Sequence, residues 1–313
     1  MTIAVGTSVT LEVPASSANL GPGFDCVGLA LGVWDQCTVR VTEAPGLVVE
    51  VSGSGADSVP RDESHLVVRT MVTTWQHLDV EPPAGLHLSA TNAVPHGRGL
   101  GSSATAIVTG VAAAHALAVR GGALAGEELD LDVINSIAAA LEGHPDNSSA
   151  SVHGGATLSV TEAAEPLPRT RTVPLRLDPR IMPVVLVPET TLSTHTARAV
   201  LPEVVPLATA AANSARTGLL VHALTSAPEL LVEATTDLLH QEPRRPSYPQ
   251  SMELVDALRA AGCAATISGA GPSVLVLTDV GRLDEVRGIA AGTSAAWQVL
   301  TPGVPTDGVR LLG

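Results

Sequence analysis

Lysine is missing altogether: the chain has 313 residues and 17 basic side chains, and every one of those is arginine. That absence excludes a Walker phosphate loop with its G-K-[ST], the strand lysine of protein kinases, and Schiff-base or pyridoxal-phosphate chemistry, since each needs an ε-amine. Cysteine is scarce. Cys26, Cys37 and Cys263 are scattered, odd in number and without a C-x-x-C, so neither a disulfide framework nor a thiolate zinc site is expected. The 10 histidines contain no H-x-x-x-H pair. Long apolar runs are lacking too: residues 107–119 and 181–188 form the longest, too short to cross a bilayer. Residues 1–13 have no basic stretch ahead of an apolar core, so no secretory signal is read there and the cytoplasm is the expected compartment. Positive charge is also in deficit. With 31 acidic residues the net charge is −14, which argues against a nucleic-acid partner. Any phosphate handled here must be held by backbone amides, arginine and metal.

What is present is enough apolar residue, 45%, to bury a sizeable core, on a length that suggests two domains or one large α/β domain. Residues 3–13 and 37–51 alternate apolar and polar side chains as half-buried strands do. Helical spacing follows over 65–75, strand character returns over 86–90, and a helix apolar nearly all round spans 104–119, stopping at Gly121-Gly122. Another helix over 131–142 ends at Gly143 before Pro145. Between 161 and 180, Pro166, Pro168, Pro174 and Pro179 mark the best linker candidate, so the division is expected near 165: a first domain over 1–165 and a second over 166–313. The second half reads as an apolar run at 182–187, helices over 194–201, 208–224 and 251–261, and strands at 264–267 and 274–277, an α+β mixture.

Three glycine-bearing segments carry chemistry. Pro95-His96-Gly97-Arg98-Gly99-Leu100-Gly101-Ser102-Ser103-Ala104 runs straight into the apolar helix. Its glycines let the backbone turn tightly and expose N–H groups, and the helix start adds free amides and the positive dipole end, so an anion can sit there without lysine. The plain alternative is a serine-capped turn. Glu142 breaks an electrostatic rule by lying in the last turn of its helix, where the dipole end is negative. Either a cation compensates it, such as a divalent metal shared with Ser102 or Ser103, or it is a solvated residue at a frayed end. Residues 14–25, with Asn19, Asp25 and the only phenylalanine, Phe24, read as a shaped loop after the first strand. Ser268-Gly269-Ala270-Gly271-Pro272-Ser273 lies between two short strands, where its glycines permit close approach to a phosphate or to the first glycine loop.

Together these segments resemble the three motifs of the GHMP small-molecule kinases, in the form found in their homoserine kinase branch. Residues 14–25 are similar to P-x-S-A-N-L-G-P-G-F-D, residues 97–104 to G-x-G-L-G-S-S-A, and residues 267–273 to the S-G-A-G-P-[ST] segment. Residues 143–147, 194–198 and 239–244 resemble G-H-x-D-N, T-x-x-A-R and L-H-[QE]-x-Y-R, so the likeness covers most of the chain. The resemblance implies an α+β, two-domain GHMP kinase fold, with an N-terminal ribosomal-protein-S5-domain-2-like domain and a C-terminal ferredoxin-like α/β sandwich. It implies phosphorylation of the L-homoserine hydroxyl by ATP with magnesium, and a homodimer. Residues 95–104, with His65, Gly269 and Gly271, are the implied ATP contacts, and Ser103 and Glu142 the implied metal ligands. Asn19, Asp25, His144 and Asn147 are implied to line the pocket near the substrate hydroxyl, and Thr194, Arg198 and Arg244 to hold the amino-acid end. Asp25, Asn147 and Arg198 are the catalytic candidates.

Two departures stand out. Pro243 replaces the usual tyrosine, leaving the register of Arg244 against Arg245 open, and His65 stands where many members have asparagine near the adenine. Two rival readings share these features: a GHMP kinase acting on another small alcohol, and a non-catalytic kinase-like sensor.

Overall fold

The chain opens with one long hairpin. In a computed structural model describing residues 2–165 and 167–312, β1 (Ser8–Asn19) and β2 (Gly23–Val41) pair antiparallel along nearly their whole length. Residues 14–25 are therefore strand ends and a tight turn rather than a loop. Ladder irregularities at Pro14/Ala15 and Ala18/Asn19 bend the pair where the polar residues of this segment lie. β2 is long enough to serve two neighbours: residues 36–41 pair with β4 (Gly85–Asn92), and residues 27–29 with β5 (Ala156–Glu162). β3 (Gly46–Gly53) adds parallel to β4 at one edge, so the alternating stretch 37–51 is split between two strands.

The proline-rich stretch read as a linker is instead the far arm of a hairpin. β6 (Arg169–Leu175) pairs with β5 from Glu162↔Arg169 to Ala156↔Leu175, and Pro166 lies outside the described residues. Pro174 is tolerated because β6 is an edge strand, paired on one side alone. The first sheet thus continues past the division expected at 165. It also recovers the other end of the chain: β11 (Arg310–Leu312) pairs with β1, giving seven strands.

Helices α1 (Leu66–His77), α2 (Ser102–Arg120), α3 (Leu131–Glu142) and α4 (Pro145–His153) pack with this sheet. α2 is long and apolar enough to span a membrane, yet it is packed inside the protein. Val108, Val111 and Leu117 meet Met71 and Trp75 of α1 and Leu11 and Val39 of the sheet in one core, and the Trp75 Nε1 donates to the Ala114 carbonyl at 2.9 Å.

The second half builds a four-stranded antiparallel sheet from β7 (Met182–Pro188), β8 (Ala264–Ile267), β9 (Val274–Thr278) and β10 (Trp297–Leu300). Its order, β10-β7-β9-β8, is the ferredoxin-like arrangement. Around it lie α5 (Thr194–Ala199), α6 (Leu207–Thr225), the short α7 (Leu231–Ala234) and α8 (Gln241–Arg244), α9 (Pro249–Ala260) and α10 (Leu283–Ala291). A further core joins the halves: Leu20, Leu29, Leu31 and Leu100 from the first pack with Val185, Leu220, Leu224 and Leu275 from the second. Burying that apolar surface fixes the glycine segments of both halves against each other.

Candidate active site

The three glycine-bearing segments interlock through short polar contacts. Ser16 N donates to the Leu100 carbonyl at 3.1 Å, Gly269 N to the Ala18 carbonyl at 3.2 Å, and Ser273 N to the Arg98 carbonyl at 3.2 Å. The Ser268 hydroxyl donates to Gly99 O at 2.6 Å and lies 2.8 Å from the Ser17 hydroxyl. Gly99 and Gly101 have φ of +75° and +70°, and a Cβ at Gly99 would stand 2.3 Å from the Ser268 carbonyl oxygen. Only glycine meets both demands. Gly101 caps α2 without any side-chain hydrogen bond, which leaves the amides of the first turn facing a cavity.

That cavity, about 210 Å³, is walled by Gly97, Gly99, Gly101, Ser102 and Ser103 at one end and reaches Thr194, Arg198 and Arg244 at the other. Asn19, Glu142, His144, Asn147, Gly269 and Gly271 also line it. A second cavity of about 320 Å³ shares Gly97, Ser102 and Ser103 and continues between His65, Cys37, Val67, Ala90 and Ala106. His65 is buried there with Nδ1 lacking a partner among the described residues, and burial, followed by the Arg61 charge, holds its imidazole below the ordinary value. A neutral ring with one free nitrogen in an apolar slot suits a flat heteroaromatic base.

α3 ends at Glu142 because Gly143 takes the left-handed conformation, and the chain re-enters a helix at Pro145. Glu142 Oε2 accepts from the Ser103 hydroxyl at 3.3 Å. Burial raises the Glu142 carboxyl above its usual range, with His144 and Ser103 opposing, and no basic partner pairs with it directly among the described residues. Two hard oxygen donors beside an anion cradle, one an under-compensated carboxylate, fit a magnesium ion. Asp146, fully buried, accepts from Asn147 N at 2.9 Å and lies 3.0 Å from His144 Nδ1. Burial pulls His144 toward neutrality, but the Asp146 and Glu142 carboxylates outweigh it and favour the imidazolium. Asn147 Oδ1 accepts from the Ser16 hydroxyl at 3.1 Å, leaving its amide nitrogen unengaged by that contact.

The other end is arginine-rich. Arg198 pairs bidentately with Asp25, one contact being Nη1 to Oδ2 at 3.1 Å, so Asp25 sits with the guanidinium. Asn19 holds it there: its Oδ1 accepts from Asp25 N at 3.0 Å and its Nδ2 donates to the Gly269 carbonyl at 3.0 Å. Asn19 and Asp25 both have positive φ, at 70° and 57°, a region these residue types tolerate better than most. The register left open by Pro243 resolves cleanly. Arg244 is 1% exposed and lines the cavity, whereas Arg245 turns outward to Glu242 and Asp256.

Four of the expected contacts lie away from the two cavities. The Arg98 side chain donates to the carbonyls of Pro188 and Glu189, both at 3.0 Å, and Pro95 lies beside it in a separate surface hollow. Neither residue lines the two cavities. Leu100 and Ala104 are likewise buried as packing. Expectation missed Asp146 and Ser16, which lay inside quoted motifs: Asp146 is buried against its chain neighbours His144 and Asn147, whereas Ser16 meets Asn147 from 131 residues away.

Residues 65–155 match the model of the GHMP kinases N-terminal domain, and residues 216–291 that of the GHMP kinases C-terminal domain. A homoserine kinase of Streptomyces coelicolor is 45% identical over 97% of this chain and 94% of its own length. One of Rhodococcus opacus is 46% identical over 99% of this chain and 98% of its own. Among solved structures, the homoserine kinase of Cytophaga hutchinsonii superposes with a TM-score of 0.80 at 24% identity, covering 100% of this chain and 99% of that one, a likeness of fold.

Proposed function

The chain belongs to the GHMP kinase family, among its homoserine kinases, and we propose that it transfers the γ-phosphoryl group of ATP to the side-chain hydroxyl of L-homoserine, giving O-phospho-L-homoserine and ADP. The observation that carries the reading is one cavity with main-chain amides at a helix start at one end and two guanidiniums at the other. A triphosphate needs the first, and a substrate carboxylate the second.

In this reading the adenine occupies the slot beside His65, and the phosphates cross Gly97–Ser103 into the shared cavity. Ser103 and Glu142 would hold magnesium, which when bound neutralises charge on the phosphates. Arg198 and Arg244 grip the α-carboxylate, with Thr194 at the same wall. The ammonium faces the carboxylates of Asp25 and Asp146, which lie with His144 in a cluster whose polar atoms are within 4.8 Å of one another. The hydroxyl then points toward Asn147 and the start of α2.

Both carboxylate oxygens of Asp25 are engaged by Arg198, and Asn147 is an amide. No strong base is needed: phosphoryl transfer passes through a loose transition state, so positioning and charge neutralisation dominate and the proton can leave on a phosphoryl oxygen. The net charge of −14 repels ATP at long range, and the local helix-terminus field must prevail within a Debye length of roughly 8 Å. The enzyme is taken to act in the cytoplasm, as the homodimer implied by the family resemblance.

The test is ADP release coupled to a panel of acceptors. Homoserine-dependent turnover that stops with EDTA is expected. Equal turnover with mevalonate or a sugar would overturn the substrate assignment, and binding of ATP without any acceptor-dependent turnover would favour a sensor.

A further inference from the structure

Arg198 and Arg244 are held in different ways, and the difference exposes two residues that the proposed reaction does not use. Arg198 has a carboxylate partner, Asp25. Arg244 has none in contact among the described residues: its Nε donates to the Ala197 carbonyl at 2.8 Å, and its Nη1 lies 3.1 Å from Nδ1 of His240. His240 is fully buried, and its Nε2 lies 2.9 Å from the Gly21 carbonyl oxygen. A carbonyl only accepts, so Nε2 carries the hydrogen. A guanidinium only donates, so Nδ1 must be bare. Both neighbours thus select one neutral tautomer.

Asp237 approaches the same ring at 3.6 Å, but its oxygens accept from the amides of Leu239, His240 and Gln241. The ring also stacks on Phe24, with centroids 5.2 Å apart and 28° between planes. The guanidinium carbons of Arg198 and Arg244 lie 5.4 and 5.6 Å from the Phe24 centroid. One aromatic ring therefore touches both cations and the histidine.

A carboxylate at position 240 would fix Arg244 equally well but would cancel its charge. A neutral acceptor fixes the fork and leaves the charge for an incoming anion. We propose that His240 is a positioning residue that, stacked on Phe24, aims Arg244 at the substrate carboxylate while leaving its charge uncompensated. This rests on the reading of Arg244 as a carboxylate ligand.

Two near-isosteres separate the ring's two bonds. In His240→Gln the amide nitrogen can still donate to Gly21, but nothing accepts from Arg244. In His240→Asn the amide oxygen can still accept from Arg244, but the Gly21 bond is lost. Steady-state constants would be measured for homoserine, for ATP and for 3-aminopropan-1-ol, which is homoserine without its carboxylate, with thermal unfolding of each variant.

The expected result is that His240→Gln raises the KM for homoserine by about 10-fold or more, because one charge-assisted hydrogen bond no longer aims the fork. The KM for ATP, and kcat/KM for the amino alcohol, stay unchanged, while His240→Asn keeps the homoserine KM within about 3-fold. Equal losses in both variants, matched by equal losses on the amino alcohol, would reduce His240 to packing and overturn the proposal. An unchanged homoserine KM in His240→Gln would overturn it as well. If the unmodified enzyme used the amino alcohol as well as homoserine, the carboxylate reading of Arg244 would fall first and this inference with it.

Discussion

The end of the cavity proposed for phosphate and the end proposed for the amino acid are built from different materials. At the first, the working groups are main-chain amides, and what shapes them is glycine conformation within ten consecutive residues. At the second they are side chains, Asp25 of β2, Arg198 of α5, and His240 and Arg244 at the two ends of α8, which hold one another around Phe24. The lesson is about tolerance. A main-chain cradle has no side chain to replace, so it fails through backbone strain and collision. A side-chain cluster fails contact by contact, and each loss should register in the constants of the ligand it touches.

Gly99→Ala is expected to be the most damaging single change, because its Cβ would meet the Ser268 carbonyl at 2.3 Å and φ is +75°. Backbone has to move, so kcat/KM should fall by about 10³ or more for both substrates. Loss confined to one substrate would break the view that this glycine shapes a shared cradle. Glu142→Gln should come next, lowering kcat by roughly 10²–10³ in the same coupled assay, and near-normal turnover would remove Glu142 from the chemistry. Arg244→Ala should lower kcat/KM for homoserine by about 10² while leaving the KM for ATP alone. A parallel change in both constants would show that the two ends are not separable in this way.

The support beneath the cradle gives a pH test. Asp35 Oδ1 accepts from the amides of Ala93 and Val94 at 2.7 and 2.8 Å, just ahead of the phosphate segment, and burial pushes its carboxyl up to about 6. A folded-state value raised above the unfolded one means that the native protein binds the proton more tightly. The Asp35 contribution to stability should therefore be fullest below about pH 4, decline as pH rises through about 6 and then level off, by up to about 3 kcal/mol. Urea unfolding of Asp35→Asn should lack this decline. A parallel profile in both proteins would show that other groups govern it. Arg245→Ala, beside the buried arginine, should be nearly silent, shifting stability by only about 0.5 kcal/mol, since its ion pairs are exposed.

Strands and helices with a strong period were legible in the sequence: residues 104–119 and 131–142 fall inside α2 and α3, and 264–267 is β8 itself. Residues 169–175 were not, because Pro174 and the prolines flanking them at 166, 168 and 179 read as a linker, while an edge position makes Pro174 harmless in a strand. β11 was invisible for a different reason. Three residues carry no periodic signal, and their partner in β1 lies at the other end of the chain.

The sequence by itself determined the form of the segment proposed to hold phosphate, since glycines followed at once by an apolar helix leave the first-turn amides without side-chain caps. It also determined, through the absence of lysine, that any permanently charged basic side chain would be a guanidinium. Tertiary structure alone decided which guanidiniums face inward, that Arg98 turns away, and that Asp25 lies with Arg198 across a separation of 173 residues. The physical reason is range: backbone conformation is set by neighbours in the chain, whereas the environment of a charged side chain is set by whatever the packed core brings beside it.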